Sequence, residues 1–156
     1  MKKLILTFTL AVFFLAFANA QDYNTGIGIR GGWYNGLTVK HFLNEKAAIE
    51  GILSSRWSGF EITGLYEIHN QAFDVARLNW YYGVGAHIGF YNGDNTNWGT
   101  RGTKYTVLGI DGILGIEYNF QEIPINIGID WKPSFNLVGY SHFWPDGGAL
   151  SIRYIF

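Results

Sequence analysis

The sequence predicts an all-β fold, an eight-stranded antiparallel up-and-down transmembrane β-barrel with a side-chain-filled polar interior. Apolar residues recur at every second position in eight separate segments, which is the period of a strand with one apolar and one polar face. Aromatic residues make up 18% of the chain, and 21 glycines stand against only 3 prolines, a mixture that favours strands. After residue 20 no apolar run is long enough for a transmembrane helix, so a chain that crosses a membrane must do so with strands.

Residues 1–20 have the pattern of a secretory signal peptide. Two lysines follow the first methionine, an apolar run covers 4–17, and an A-x-A cleavage site ends at Ala20. A transmembrane anchor is the alternative, but the run is short for a span and the cleavage site is well formed. We therefore predict cleavage after Ala20 and one outer-membrane β-barrel domain over 21–156.

The composition excludes several classes of function. The chain has no cysteine, which rules out a disulfide framework and thiol chemistry. The formal net charge is -1, and loss of the two signal-peptide lysines lowers it further, which argues against nucleic acid as a partner. No phosphate-binding G-x-x-x-x-G-K-[ST] motif occurs. Because the histidines His41, His69, His87 and His142 lie on four different predicted elements without ligand spacing, we predict no metal and no cofactor.

The alternating segments give the predicted strands 25–33, 37–42, 47–54, 59–68, 77–91, 108–120, 123–132 and 149–156. Short turns connect them at one end of the barrel, at 44–46, 69–76 and 119–122. The connections at the other end are 34–36, 55–58, 92–104 and 133–148, of which the first is a hairpin turn by its Asn-Gly. Short turns on the periplasmic side and longer loops outside are the rule for barrels in the outer membrane.

The charged residues follow the polar faces of the strands, the turns and the loops. The apolar faces carry His41 as their single titratable group apart from tyrosines. Facing inward, the charges would form a barrel-interior network, because isolated charges cannot stay buried without partners. The predicted members are Arg30, Lys40, Glu50, Glu61, Glu67, Arg77, His87, Asp111, Glu117, Asp130, Lys132 and Arg153.

A soluble barrel with the opposite facing is the alternative. It would have to enclose the apolar side chains of all eight strands, whereas the interior of an eight-stranded barrel is only just wide enough for side chains. The polar faces are instead rich in glycine, which suits a crowded interior. We therefore expect Ile127 to face outward and Asp130 to face inward, near Arg153 on the next strand.

Aromatic residues cluster near the predicted strand ends. One group falls at the end that carries the termini: Trp80, Tyr118, Phe120, Tyr154 and Phe156. A second group falls at the opposite end: Trp33, Phe90 and Trp131. Two such belts are typical of the two interfaces of a membrane-spanning barrel.

The last strand, Leu150-x-Ile152-x-Tyr154-x-Phe156, resembles the C-terminal signature of bacterial outer-membrane β-barrels. At the level of pattern the chain is similar to small eight-stranded barrels such as the OmpA transmembrane domain and the OmpX and opacity-protein group. The resemblance implies a place in the cell outer membrane of a Gram-negative bacterium, in contact with outer-membrane lipid. It also implies that Ile152, Tyr154 and Phe156 form an assembly signal read by the outer-membrane assembly machinery.

The expected function is therefore that of a monomeric, non-enzymatic outer-membrane protein. It would contribute to envelope structure or to surface interactions through its extracellular loops. Trp57, Trp98 and Trp144 lie in predicted outer loops, where they either contact a partner or pack onto the rim. The residue pattern identifies no particular partner, and a pore of useful width is not expected in a barrel filled by its own side chains.

Two other functions stay open at this point. A lipid-A-modifying enzyme would use Ser141, His142 and Asp146 as a nucleophile, base and acid, although adjacent Ser and His in a strand point to opposite faces. A soluble lipocalin-like carrier would use the Gly-x-Trp spacing of Gly31-Gly32-Trp33, which is a short match in a chain rich in both residues.

Overall fold

The computed structural model describes residues 23–156, so the predicted signal peptide lies outside the described residues. This part of the chain consists of strands and connections, and no helix in it is long and apolar enough to cross a membrane. The strands are β1 (Thr25–Gly32), β2 (Asn35–Phe42), β3 (Ala47–Arg56), β4 (Gly59–Gln71), β5 (Leu78–Asn92), β6 (Lys104–Asn119), β7 (Ile125–Trp131), β8 (Ser134–Val138), β9 (His142–Trp144) and β10 (Gly148–Ile155).

The strands form one closed antiparallel barrel. Each of β1 to β6 pairs with the strand that follows it, and β10 pairs with both β7 and β1 to close the sheet. The closing register sets Gly26 opposite Ile155 and Arg30 opposite Ser151. β8 follows β7 and pairs with the same neighbour, β6. β9 pairs with β8 and precedes β10 in the chain. β7 with β8 and β9 with β10 therefore act as the seventh and eighth barrel strands, and the predicted eight-stranded up-and-down topology is confirmed.

The predicted loop 133–148 is wrong, because it contains β8 and β9. Pro133 and Pro145 interrupt the pairing, since proline has no N–H to give to the ladder. Beyond Pro133 the alternation resumes, with Ser134 and Asn136 buried in the interior. The seventh and eighth barrel strands thus continue beyond these prolines instead of ending there.

Smaller differences concern the turns. The predicted turn 34–36 is shifted, because β2 already begins at Asn35. The Asn35 side-chain oxygen accepts a hydrogen bond from the Gly32 N–H at 3.1 Å. The predicted turn 69–76 is shorter, since β4 continues to Gln71. We call the end that carries Tyr23, Phe156 and the β4–β5 turn the terminus end, and the opposite end the loop end.

Alternation along the strands places the large apolar side chains on the outer surface and the polar side chains inside. Ile129, for example, is 59% exposed, whereas its neighbour Asp130 is 5% exposed. The interior also holds one apolar layer formed by Ile52, Leu65, Tyr81 and Ile113. Exposed apolar residues occur on β1 to β10, including Ile27, Ile29, Leu37, Val39, Ile49, Leu53, Ile62, Val84, Leu108, Ile110, Leu114, Leu137, Leu150 and Ile152.

Aromatic side chains concentrate at the two ends of this outer surface. At the terminus end Trp80 stacks on Tyr82 with ring centroids 5.4 Å apart, and Tyr118 meets Phe120 at 5.1 Å. Tyr154 and Phe156 lie 6.1 Å apart. Towards the loop end the exposed aromatics are Trp33, Phe60, Trp131, Phe135 and Phe143, and Phe60 packs on Phe90 at 4.9 Å.

Candidate functional site

The polar interior divides into three groups stacked along the barrel. We call them the terminus-end cluster (Lys40, Glu50, Glu67, Glu117 and Arg153), the central pair (Arg30 and Asp130) and the loop-end cluster (Glu61, His87, Asp111 and Lys132). Alternation explains their facing, since each lies at an inward position of its strand or, for Lys132, directly after it.

The terminus-end cluster joins five strands through two cations. The Lys40 ammonium lies 2.8 Å from Glu67, 3.2 Å from Glu117 and 3.4 Å from Glu50. The Arg153 guanidinium donates to Glu50 at 2.6 Å. All five side chains are fully buried, so the charges interact with one another rather than with water.

Neutral groups complete the terminus-end cluster, which has one more carboxylate than cations. The Tyr23 hydroxyl donates to Glu117 at 3.0 Å, and the Thr38 hydroxyl donates to Glu50. Arg153 also donates to the Asn126 side-chain oxygen at 3.1 Å. Tyr23 thus satisfies Glu117 Oε1, which neither Lys40 nor Arg153 contacts, whereas Thr38 and Arg153 donate to the same oxygen of Glu50.

The central pair links β1 to β7. Arg30 donates two hydrogen bonds to Asp130, one of them 2.6 Å long, and the Tyr81 hydroxyl donates to the same carboxylate at 3.2 Å. The expected neighbourhood of Asp130 and Arg153 is therefore wrong. Arg30 reaches Asp130 because the intervening β10 presents only the small Ser151 and Ala149 beside them.

The loop-end cluster places one ammonium between two carboxylates. Lys132 Nζ lies 2.7 Å from Asp111 and 3.5 Å from Glu61. His87 Nδ1 lies 2.8 Å from the second oxygen of Asp111, and the Tyr91 hydroxyl donates to Glu61 at 2.9 Å. The cluster is thus held together by contacts among β4, β5, β6 and the residue after β7.

Glu61, His87 and Asp111 have the donor types of a metal site. One potential ligand atom from each lies within 4.8 Å of the others, and carboxylate and imidazole groups together suit a transition metal. Spacing along the sequence could not reveal this set, because three strands bring it together. The Lys132 ammonium contacts both carboxylates and supplies the positive charge that a metal ion would bring.

Arg77 differs from the other eleven residues of the predicted interior network, which are all buried. It lies in the turn before β5, is half-buried and has a positive φ of 66°. Its backbone carbonyl accepts a hydrogen bond from the Asn119 N–H at 3.0 Å. Arg77 does not face the interior because β5 begins one residue later, at Leu78.

The predicted assembly-signal residues lie on and beside β10. Ile152 is 41% exposed and Tyr154 is 54% exposed on the outer surface. The Phe156 N–H donates to the Thr25 carbonyl at 2.9 Å, which ties the last residue to β1.

Five aromatic side chains at the loop end contact one another in a closed circuit, and we call them the rim aromatics: Trp57, Trp98, Tyr140, His142 and Trp144. Successive ring centroids, taken in that order and back to Trp57, lie 6.2, 4.3, 5.8, 4.3 and 5.2 Å apart. The four larger rings are half-buried and His142 is exposed. The circuit joins the β3–β4 turn, the β5–β6 loop and the β8–β10 segment.

An ion pair lies beside the rim aromatics. Arg56 donates to Asp146 at 2.8 Å, and its guanidinium carbon lies 3.9 Å from the Trp57 ring centroid and 5.5 Å from that of Trp144. Burial alone would raise the pKa of Asp146, but the hydrogen bond and the charge of Arg56 outweigh it and lower this pKa below its usual range. The pair connects the end of β3 to the break before β10.

The three residues considered for lipid-A chemistry have other surroundings. Asp146 is bound to Arg56, and His142 packs against Tyr140 and Trp144. Ser141 is exposed in the β8–β9 connection. Trp33, of the Gly-x-Trp spacing, is 57% exposed.

Sequence reasoning missed the uncharged residues that complete these groups. Tyr23, Thr38, Tyr81, Tyr91 and Asn136 all bond to charged side chains or to His87. Their inward-facing positions in the alternation could have shown that they belong to the interior network, because buried tyrosine and asparagine side chains are expected to form hydrogen bonds.

Comparison of the chain with protein-family models, curated proteins and solved structures gave no match. The fold and the geometry of the interior, the outer surface and the rim therefore carry the functional interpretation.

Proposed function

We propose that this protein is an integral β-barrel of the bacterial outer membrane, without enzymatic activity, that contributes to envelope structure or to surface interactions. One observation carries the proposal, namely a closed barrel whose outer surface is apolar and whose interior is charged. A soluble monomer rarely exposes an apolar patch larger than a few hundred Å², whereas here exposed large apolar residues occur on every strand of the barrel.

The distance between the aromatic ends of the outer surface supports membrane insertion. Trp80 and Phe90 lie near opposite ends of the same strand, β5. Ten residues span about 33 Å along a strand, or about 25 Å across the membrane at a tilt of about 40°. This equals the usual height of the apolar band of outer-membrane barrels.

The connections suggest an orientation. The terminus end carries short turns, whereas the loop end carries the connection between β5 and β6 and the β8–β9 hairpin. Short periplasmic turns and longer outer loops are the rule for these barrels, so the loop end would face outside. The signal peptide predicted for residues 1–20 and the aromatic pattern of the last strand agree with export to the outer membrane.

The interior supports a structural role rather than a channel. Eight-stranded barrels leave room for little more than side chains, and here the interior is occupied by three groups of interacting charges and an apolar layer. The ion pairs and hydrogen bonds among these groups also explain how the charges would remain stable in a membrane protein. We propose a monomer surrounded by outer-membrane lipid and inserted by the outer-membrane assembly machinery.

The test is heat-modifiable mobility of the protein in isolated outer membranes. A folded small barrel resists SDS without boiling, so the unboiled protein should migrate differently from the boiled protein and should stay with the outer-membrane fraction after a carbonate wash. Recovery in the soluble periplasm with a single mobility in both samples would overturn the proposal.

A further inference from the structure

The terminus-end cluster contains one more carboxylate than cations. Its two cations, Lys40 and Arg153, face three carboxylates, and all five side chains are fully buried. The central pair next to it supplies no spare charge, because Arg30 is already bound to Asp130 by two hydrogen bonds. A net charge enclosed in a protein interior is costly, so the cluster needs one further positive charge.

Two carboxyl groups of the cluster show where this charge is missing. Glu50 on β3 and Glu67 on β4 lie within hydrogen-bond reach of each other. Each keeps one buried oxygen, Glu50 Oε2 and Glu67 Oε1, that accepts no hydrogen bond from any group among residues 23–156. Two ionised carboxylates cannot form a hydrogen bond, because neither has a proton to donate. One proton between them would supply the donor and balance the charge at the same time.

The remaining contacts of the two carboxyl groups indicate which of them carries the proton. Glu50 Oε1 accepts a charge-assisted hydrogen bond from the Arg153 guanidinium at 2.6 Å, which fits an ionised acceptor. Glu67 Oε2 lies 2.8 Å from Lys40 Nζ and 3.0 Å from His69 Nε2. Glu67 Oε1 is therefore free to carry an O–H group directed at Glu50.

His69 is the other group that could take up the proton. Its Nε2 contacts Glu67, whereas its Nδ1 lies 3.6 Å from Glu117 Oε1 and has no hydrogen-bond partner in the described part of the chain. A charged imidazolium has two N–H donors that both need acceptors. A neutral ring whose Nε2–H donates to Glu67 leaves no donor unpaired, so the contacts of His69 fit the neutral form.

We propose that the terminus-end cluster is a proton-binding site, in which Glu67 holds one proton at neutral pH and donates it in a hydrogen bond to Glu50. The proposal concerns the filled interior and does not rest on the location of the protein. The titratable and charged groups that face the two carboxyls from the surrounding elements are Tyr23, Arg30, Lys40, His69, Tyr81, Glu117 and Arg153.

Infrared spectroscopy of the folded mature protein at neutral pH, in a detergent without carbonyl groups, tests the proposal directly. Exposed carboxyl groups are ionised well above their pKa of about 4, so a carboxylic-acid C=O band at neutral pH reports a buried proton. The parent should show this band and lose it when boiling in SDS unfolds the barrel. Glu67→Gln should lack the band, because its amide N–H donates to Glu50 without a bound proton. Glu45→Gln, the same change in an exposed turn, should retain it.

The pH dependence of unfolding gives a second measurement. Once unfolded, Glu67 has an ordinary pKa of about 4.3, so above this pH the unfolded chain holds one proton fewer than the folded protein. Stability therefore falls as the pH rises, and one such proton increases the unfolding equilibrium constant about tenfold per pH unit. The ratio of the parent constant to that of Glu67→Gln should rise by this factor between about pH 6 and 8, because the other titrating groups are common to both proteins.

A folded parent without a carboxylic-acid band at neutral pH would overturn the inference, and this result needs no variant. A band that persists in Glu67→Gln, shown to be folded by its heat-modifiable mobility, would place the proton on another group and overturn it as well. A ratio of unfolding constants that does not change with pH would contradict a proton held by Glu67.

Discussion

Arg30 of β1 forms a bidentate ion pair with Asp130 of β7, two strands away around the barrel. Their side chains are 1% and 0% exposed. β10, which closes the barrel, lies between them and contributes the small Ser151 and Ala149 at this level. The pair therefore spans the seam between the first and the last strand, and a two-bond contact of this type also fixes the relative orientation of its partners.

Asp130→Asn should lower the free energy of unfolding by about 3–5 kcal/mol, because Arg30 is left as an unbalanced buried charge. The double variant Arg30→Met with Asp130→Leu should recover much of this loss, since both charges are then removed together. Urea titration of the folded barrel in lipid vesicles, followed by tryptophan fluorescence, measures the three values.

Glu45→Gln is the control for this series, because Glu45 lies exposed in the turn between β2 and β3. It should change stability by less than about 0.5 kcal/mol. An Asp130→Asn variant as stable as Glu45→Gln would show that the central pair does not hold the seam.

Gly115 on β6 is needed for the approach of two interior side chains. An added Cβ would lie 2.6 Å from the Tyr81 hydroxyl and 2.7 Å from the Asp130 Cβ. Gly115→Ala should therefore cost about 1–3 kcal/mol through overpacking. Gly64→Ala on β4, where no atom lies within 4 Å of the new Cβ, should be neutral or stabilising. Equal unfolding midpoints for the two variants would contradict the interior packing.

Period-two alternation was enough to predict the strands other than β8 and β9 and to separate the charged faces from the apolar faces. It could not identify ion-pair partners, because the partner of Asp130 is decided by how far Arg30 reaches past small residues on a third strand. The prolines at 133 and 145 were misleading, since they mark a break within two strands rather than a loop. The rim circuit joins three distant segments, and no local pattern encodes such a contact.

Lys132 supplies the positive charge of the loop-end cluster, and its removal should turn this cluster into a metal site. In Lys132→Ala, the carboxylates of Glu61 and Asp111 lose their cation beside His87. Zinc should then stabilise this variant, by about 2.7 kcal/mol at a hundred times its dissociation constant, and leave the parent unchanged. Thermal unfolding with and without zinc measures the effect. The double variant Lys132→Ala with His87→Ala should lose it, and a zinc response that persists there would place the ion elsewhere.

The Arg56–Asp146 pair should make the rim sensitive to acid. Because the pKa of Asp146 is lowered in the folded protein, the pair contributes stability above the unfolded pKa of about 3.9 and loses it as the pH falls through the folded value. Fluorescence of Trp57 and Trp144 should therefore change below about pH 4. Asp146→Asn should remove this transition, and an unchanged transition in that variant would assign it to another group.

The most direct measurement of the central claim, that the apolar outer surface contacts lipid, is the accessibility of single spin labels in vesicles. The chain contains no cysteine, so one introduced cysteine gives a unique label. A label at Ile129, which is 59% exposed on the outer surface, should be relaxed by oxygen dissolved in the lipid and protected from a water-soluble nickel complex. A label at Asn95 in the β5–β6 loop should show the reverse. Nickel access at position 129 equal to that at 95 would contradict a membrane-spanning barrel.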